Sequence, residues 1–177
     1  MRWKPPGHNT RRTPHKPHPI VVPAFLTIAG SDSSAGAGLQ ADMKVGIALG
    51  CYPLTAVSCV VSEAPGCVAG IAPMEPEFVA SQVQLCLKHF PVAAVKTGML
   101  YSAATVRAVA AALPPGIPLV VDPIIVATAG TQLMEAPAAT LAAYDQALFP
   151  RATLITPNRD ELCRLIRHIC ENKTLLF

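Results

Sequence analysis

Five short apolar runs, most of them closed by glycine or a small polar pair, set the limits on what this chain can fold into. They fall at residues 24–30 (AFLTIAG), 53–61 (PLTAVSCVV), 92–96, 117–121 and 152–155. The runs are apolar almost throughout rather than alternating, as strands are when both faces of their sheet are covered. Between them apolar residues recur with a helical period. Leu39, Met43 and Ile47 predict a helix to about Leu49, stopped by Gly50. Glu75 and Glu77 stand where a helix start favours acids, and Phe78, Val79, Val83 and Leu87 supply that second helix with an apolar face. Ser102 predicts the cap of a third, running to Leu113 before Pro114-Pro115-Gly116 breaks it. A fourth is expected over 138–148 and a fifth from Arg159. Residues 62–74 read as a Pro/Gly loop, as does the stretch around Ala129-Gly130-Thr131.

Strands alternating with helices predict an α/β fold, a mostly parallel sheet with helices on both sides. Such sheets bind ligands beyond the carboxyl ends of their strands. The polar residues of this chain gather at those ends: Gly30 to Asp32, Glu63, Lys96 to Met99, Asp122, and Thr156 to Glu161.

Composition narrows the class. A chain of 177 residues with 51% hydrophobic and 14% charged residues is expected to form one folded domain rather than a disordered chain. No apolar run reaches the roughly 18 residues of a membrane span. Residues 1–23 hold five of the fourteen basic residues, none of the eleven acids and six of the eighteen prolines. This stretch is expected to be a disordered basic tail, so the net charge of +3 belongs to the tail and does not predict a nucleic-acid partner for the body. The six cysteines show no C-x-x-C pair and no zinc spacing, which predicts reduced thiols and a cytoplasmic protein.

Three stretches suit chemistry. AGSDSSAGAGLQAD (29–42) is a Gly-rich loop opening a helix, where free N–H groups receive an anion or a polar substrate group. Asp42 shares a helix side with Leu39, and either complements the helix dipole or accepts a substrate hydroxyl. Asp122 ends a strand before proline; it either starts a turn or holds Mg²⁺ or its water shell. Asn158 and Glu161, at i and i+3, either cap a helix or address phosphate and hydrated magnesium together.

LTIAGSDSSAGAGLQAD, KTGML (96–100), VVDPIIVATAGTQL (120–133) and LITPNRDEL (154–162) together resemble the hydroxymethylpyrimidine/phosphomethylpyrimidine kinases of thiamine synthesis. The resemblance covers about residues 24–162, in the family's order and with similar spacing. It implies the ribokinase-like three-layer α/β sandwich, with ATP and a small pyrimidine as substrates and Mg²⁺ as cofactor. Gly30 and Asp42 match positions that hold the pyrimidine and its hydroxymethyl group. Glu63 stands where the family has glutamine, and that substitution exchanges a donor-and-acceptor pair for acceptors alone. Asp122, Asn158 and Glu161 match positions near the phosphates, with Asp122 and Glu161 as water-mediated Mg²⁺ ligands.

The family's later V-K-G-G-H strand and G-T-G-C helix, which supply its anion hole and base, have no match here, and residues 163–177 diverge. The resemblance therefore implies a kinase domain at 24–162 lacking its C-terminal third, with no catalytic residue retained, and an exposed sheet edge prone to self-association. Two other readings follow: an inactive fragment or regulatory partner of a full-length homologue, and a pyridoxal kinase-like enzyme.

Overall fold

The structure, a computed structural model, describes residues 22–125 and 133–172. The expected tail lies outside the described residues except for Val22 and Pro23, and so does the loop at 129–131. The elements run β1 (Ala24–Asp32), α1 (Gly38–Ala48), β2 (Tyr52–Ala64), β3 (Cys67–Pro73), α2 (Pro76–His89), β4 (Val92–Thr97), α3 (Ala103–Ala112), β5 (Leu119–Val121), α4 (Pro137–Ala143), β6 (Leu154–Ile155) and α5 (Arg159–Asn172). A π-helical turn (Tyr144–Leu148) and a 3-10 turn (Phe149–Arg151) follow α4. One sheet orders the strands β3-β2-β1-β4-β5-β6. Every pairing is parallel except β2 with β3.

Alternation along β1 assigns the layers. Leu26 and Ile28 enter the main core with Val79 and Val83 of α2 and Val106 and Val109 of α3. Phe25 and Thr27 face the other way, where they meet Gly46 and Asp42 of α1. The sheet is thus covered by α1 on one side and by α2, α3 and α4 on the other. Among the described residues no helix is long and apolar enough to cross a membrane.

Four expectations need correction. Residues 67–73 are not loop but an antiparallel edge strand, joined to β2 through Pro65-Gly66, with Gly66 at φ +78° as a type II turn requires. Glu63 therefore sits on a strand. On α1 the inward face is Leu39, Asp42 and Gly46, while Ile47 is 61% exposed. Phe78, assigned to the apolar face of α2, is 59% exposed. The strands at 117 and 152 begin later, because Pro118 has no N–H for the ladder and residues 149–151 are wound into the 3-10 turn.

Gly46 lets the Phe25 ring pack against α1. A Cβ there would run into the Phe25 ring, which would have to move to admit it. Gly46→Ala is expected to lower stability by about 1–3 kcal/mol through overpacking, read as a lower denaturant midpoint with an unchanged slope. A midpoint equal to the parent's would contradict this contact.

Candidate functional site

The carboxyl ends of β1, β2, β4 and β5 open into a cavity of about 510 Å³. Gly30, Asp42, Glu63, Asp122, Asn158 and Glu161 all line it, so the structure brings the six sequence-derived positions together. Asp32 and Lys96 line it as well. A second depression of about 610 Å³ lies at the opposite ends of the strands, beside Phe90, Leu113 and Pro114, but its lining includes no carboxylate.

A register shift makes the room. Ala29 pairs with Val57 and Gly30 with Cys59, so Ser58 is skipped. A Cβ on Gly30 would fall 2.9 Å from the Cys59 sulfur, which is why a glycine holds this position. The Ser58 hydroxyl donates to the Met99 carbonyl, tying the shifted strand to the end of β4.

The Gly-rich loop is partly satisfied from within the chain. Three of its N–H groups are taken by the side chain of the chain's own Asp32. Ser34 N–H donates to Oδ1 at 2.6 Å, and Gly36 and Ala37 donate to Oδ2 at 2.9 and 2.8 Å. Asp32 is 4% exposed. Burial pushes its carboxyl up, yet the hydrogen bonds from Ser34, Ala37 and Gly36 prevail and leave it below the usual range. An internal carboxylate thus takes three N–H groups of the loop that leads into α1.

Glu63 is held by its backbone. Ser33 Oγ donates to the Glu63 carbonyl at 2.7 Å, and the Glu63 N–H donates to Ser33 Oγ at 2.8 Å. Burial, the Asp32 charge and a side-chain hydrogen bond with Asp32 all push the Glu63 carboxyl above its usual value.

On the other side of the cavity, Asp42 accepts from Thr27 Oγ1 at 2.6 Å and from Lys96 Nζ at 3.0 Å on each oxygen. Lys96 Nζ also stands 3.7 Å from Asp122 Oδ2. Burial pushes the Asp122 carboxyl up; Lys96 opposes this, and Glu161 and Asp42 add to it.

Asn158 and Glu161 form a reciprocal cap. Asn158 Oδ1 accepts from the N–H of Asp160 and of Glu161, and Glu161 Oε2 accepts from the Asn158 N–H at 2.9 Å. This is the geometry of a capping box. Glu161 Oε1 also accepts from Ile125 N–H at 3.3 Å, which ties the start of α5 to the chain after β5. The capping reading of this pair is therefore realised, with Glu161 3% exposed.

Sequence reasoning passed over Asp32 and Lys96 as site residues. Both stand in the stretches it marked, at the ends of β1 and β4. What it lacked was their partners, which lie 2 to 5 residues away for Asp32 and 54 away for Lys96.

A mostly parallel sheet between helix layers, with a carboxylate-rich cavity across its strand ends, is the architecture of the ribokinase-like kinases. The family model for phosphomethylpyrimidine kinase matches residues 32–175, and the chain belongs to that family. It is 40% identical over 148 residues to the hydroxymethylpyrimidine/phosphomethylpyrimidine kinase of Streptomyces coelicolor, covering 83% of this chain and 54% of that protein. Phosphomethylpyrimidine kinase of Clostridium difficile superposes with a TM-score of 0.72 at 28% identity, covering 84% of this chain and 69% of that one. Pyridoxal kinase of Staphylococcus aureus, solved with AMP-PCP and pyridoxal, gives 0.69 at 30% identity, covering 81% and 51%. The chain spans about half the length of the Streptomyces kinase and 26% to 30% of several bifunctional thiamine-biosynthesis relatives. All six cysteines are free.

Proposed function

We propose that this chain binds 4-amino-5-hydroxymethyl-2-methylpyrimidine or its monophosphate, together with ATP, in the cavity at the strand ends, as a cytoplasmic kinase. The observation that carries the reading is the convergence of Gly30, Asp42 and Glu63 with Asp122, Asn158 and Glu161 on one cavity. Gly30 meets the pyrimidine at the end of β1. Asp42, fixed by Thr27 and Lys96, accepts the substrate hydroxyl and orients its oxygen. Glu63 meets the aminopyrimidine edge, and Asp122 lies on the phosphate side.

The donor set suits Mg²⁺ held through water. Mg²⁺ uses one or two carboxylates and completes its shell with water and substrate phosphates. Asp122 and Glu161 provide two hard oxygen donors, and no group of three or more metal-ligating side chains stands among the described residues. When bound, the metal supplies positive charge for the ATP phosphates, which phosphoryl transfer needs alongside positioning.

Calorimetric titration of the 177-residue chain with the hydroxymethylpyrimidine tests the reading. Binding is expected, and Asp42→Asn is expected to weaken it about five- to tenfold, since a hydrogen bond to a neutral acceptor has roughly half the strength of one to a carboxylate. No pyrimidine binding at millimolar concentration, with the fold intact by circular dichroism, would refute it. An ATP- and Mg²⁺-dependent assay with pyridoxal as competing substrate separates the pyridoxal-kinase reading.

A further inference from the structure

Among the described residues lining the cavity, Lys96 is the one cation set against five carboxylates. Several backbone N–H groups around it are already committed. The loop N–H groups of Ser34, Gly36 and Ala37 bind Asp32. The N–H groups of Asn158 and Ile125, at the start of α5 and after β5, bind Glu161. A phosphate entering this cavity therefore meets no free backbone cradle among these groups.

Lys96 stands where such a group would arrive. Its Nζ is 3.0 Å from both Asp42 oxygens and 3.7 Å from Asp122 Oδ2, between the carboxylate assigned to the hydroxyl and the one assigned to the phosphates. An ammonium has three N–H donors. Asp42 takes two, and 3.7 Å is an ion-pair distance rather than a hydrogen bond. Gly98 packs closely here: a Cβ on it would fall 3.0 Å from Ala29 Cβ and 3.3 Å from Nζ.

We propose that Lys96 is the phosphate-contacting cation of this cavity: it receives the phosphate of the phosphomethylpyrimidine and so distinguishes that substrate from the alcohol. This rests on the pyrimidine-kinase reading above. The alcohol has no anionic group for the third donor, so its affinity depends on Lys96 only through Asp42.

The test is calorimetry on the full 177-residue chain with Mg²⁺ and no nucleotide, using the hydroxymethylpyrimidine, its monophosphate and pyrophosphate as separate ligands. Lys96→Met is expected to weaken the monophosphate and pyrophosphate roughly 10- to 100-fold, the range for losing a charge-assisted hydrogen bond. The alcohol is expected to lose about threefold or less on the same scale, and Lys96→Arg to restore most of the phosphate affinity. Equal losses for alcohol and monophosphate would reduce Lys96 to a brace for Asp42 and overturn the proposal. So would pyrophosphate binding that ignores the substitution. If neither pyrimidine binds the parent chain while pyrophosphate binding still depends on Lys96, the pyrimidine reading fails and the phosphate contact stands. Should Lys96→Met not fold because Asp42 is left unpaired, Lys96→Met/Asp42→Asn compared with Asp42→Asn gives the same answer without the stranded charge.

Discussion

Asp32→Ala is expected to destabilise the protein by about 3 kcal/mol and lower its melting temperature by about 6–12 °C, the shift per kcal/mol usual for a chain of this size. The substitution strips the carboxylate from three N–H groups of the loop that leads into α1. Hydrogen bonds to a charged acceptor contribute about 1.5–3 kcal/mol each. The three share one carboxylate and the vacated N–H groups gain water, so the losses do not add in full. Asp32→Asn keeps an acceptor for Gly36 and Ala37 and should fall between the two. The carboxyl of Asp32 is depressed in the folded state, so its contribution is present above the ordinary value of 3.8 and disappears as pH falls through the folded one. The parent and Asp32→Ala melting curves should therefore converge in acid. A melting temperature within a degree or so of the parent's at neutral pH would mean that the loop does not depend on this internal anion.

The same residue shows where sequence reading succeeds and where it stops. Strands that are apolar on both faces announce themselves, so the order of β1, β2, β4 and β5 and the helices between them were legible. Ser102 was legible as a cap because capping is local, and its side chain accepts from Thr105 N–H. Asn158 and Glu161 were legible as a pair at i and i+3, with cap and phosphate site left open. β3 was not legible, because Ala69, Gly70, Ala72 and Pro73, which carry little strand preference, outnumber Val68 and Ile71, and edge pairing supplies what their sequence does not. Gly46 was not legible as a contact, since a glycine in a helical pattern gives no sign of the Phe25 ring packed against it. The Asp32 anchor was hidden by the rule that a Gly-rich helix start awaits an anion. An anion already in the chain takes three of the loop's N–H groups. Lys96 was hidden because its partner Asp42 lies 54 residues away, on the far side of a strand crossover.

Glu63→Gln is expected to abolish a pH dependence that the parent chain shows in pyrimidine binding. A glutamine offers the aminopyrimidine edge one donor and one acceptor, whereas an ionised glutamate only accepts. Glu63 therefore matches that edge fully when one proton is held between it and the ring. Its surroundings favour the proton: burial first, then the Asp32 charge and the hydrogen bond with Asp32, raise its carboxyl above the ordinary 4.5. The buried Cys59 thiol, itself pushed up by burial, brings no opposing positive charge. Once the pH exceeds the free values of both Glu63 and the ring nitrogen, binding must take up a proton, and affinity should fall by up to about tenfold per pH unit. The glutamine introduced by Glu63→Gln has no proton to gain, so the variant's profile should level off. Stability gives a second reading without ligand. A raised carboxyl contributes stability that is fully present below the ordinary value and is lost as pH rises through the folded one. Glu63→Gln should accordingly melt above the parent at neutral pH and show no advantage near about pH 4. Parent and variant affinities that run parallel from acid to neutral pH would show that Glu63 does not share a proton with the ring. A variant that gains nothing in stability at neutral pH would show that Asp32 does not hold that proton in place.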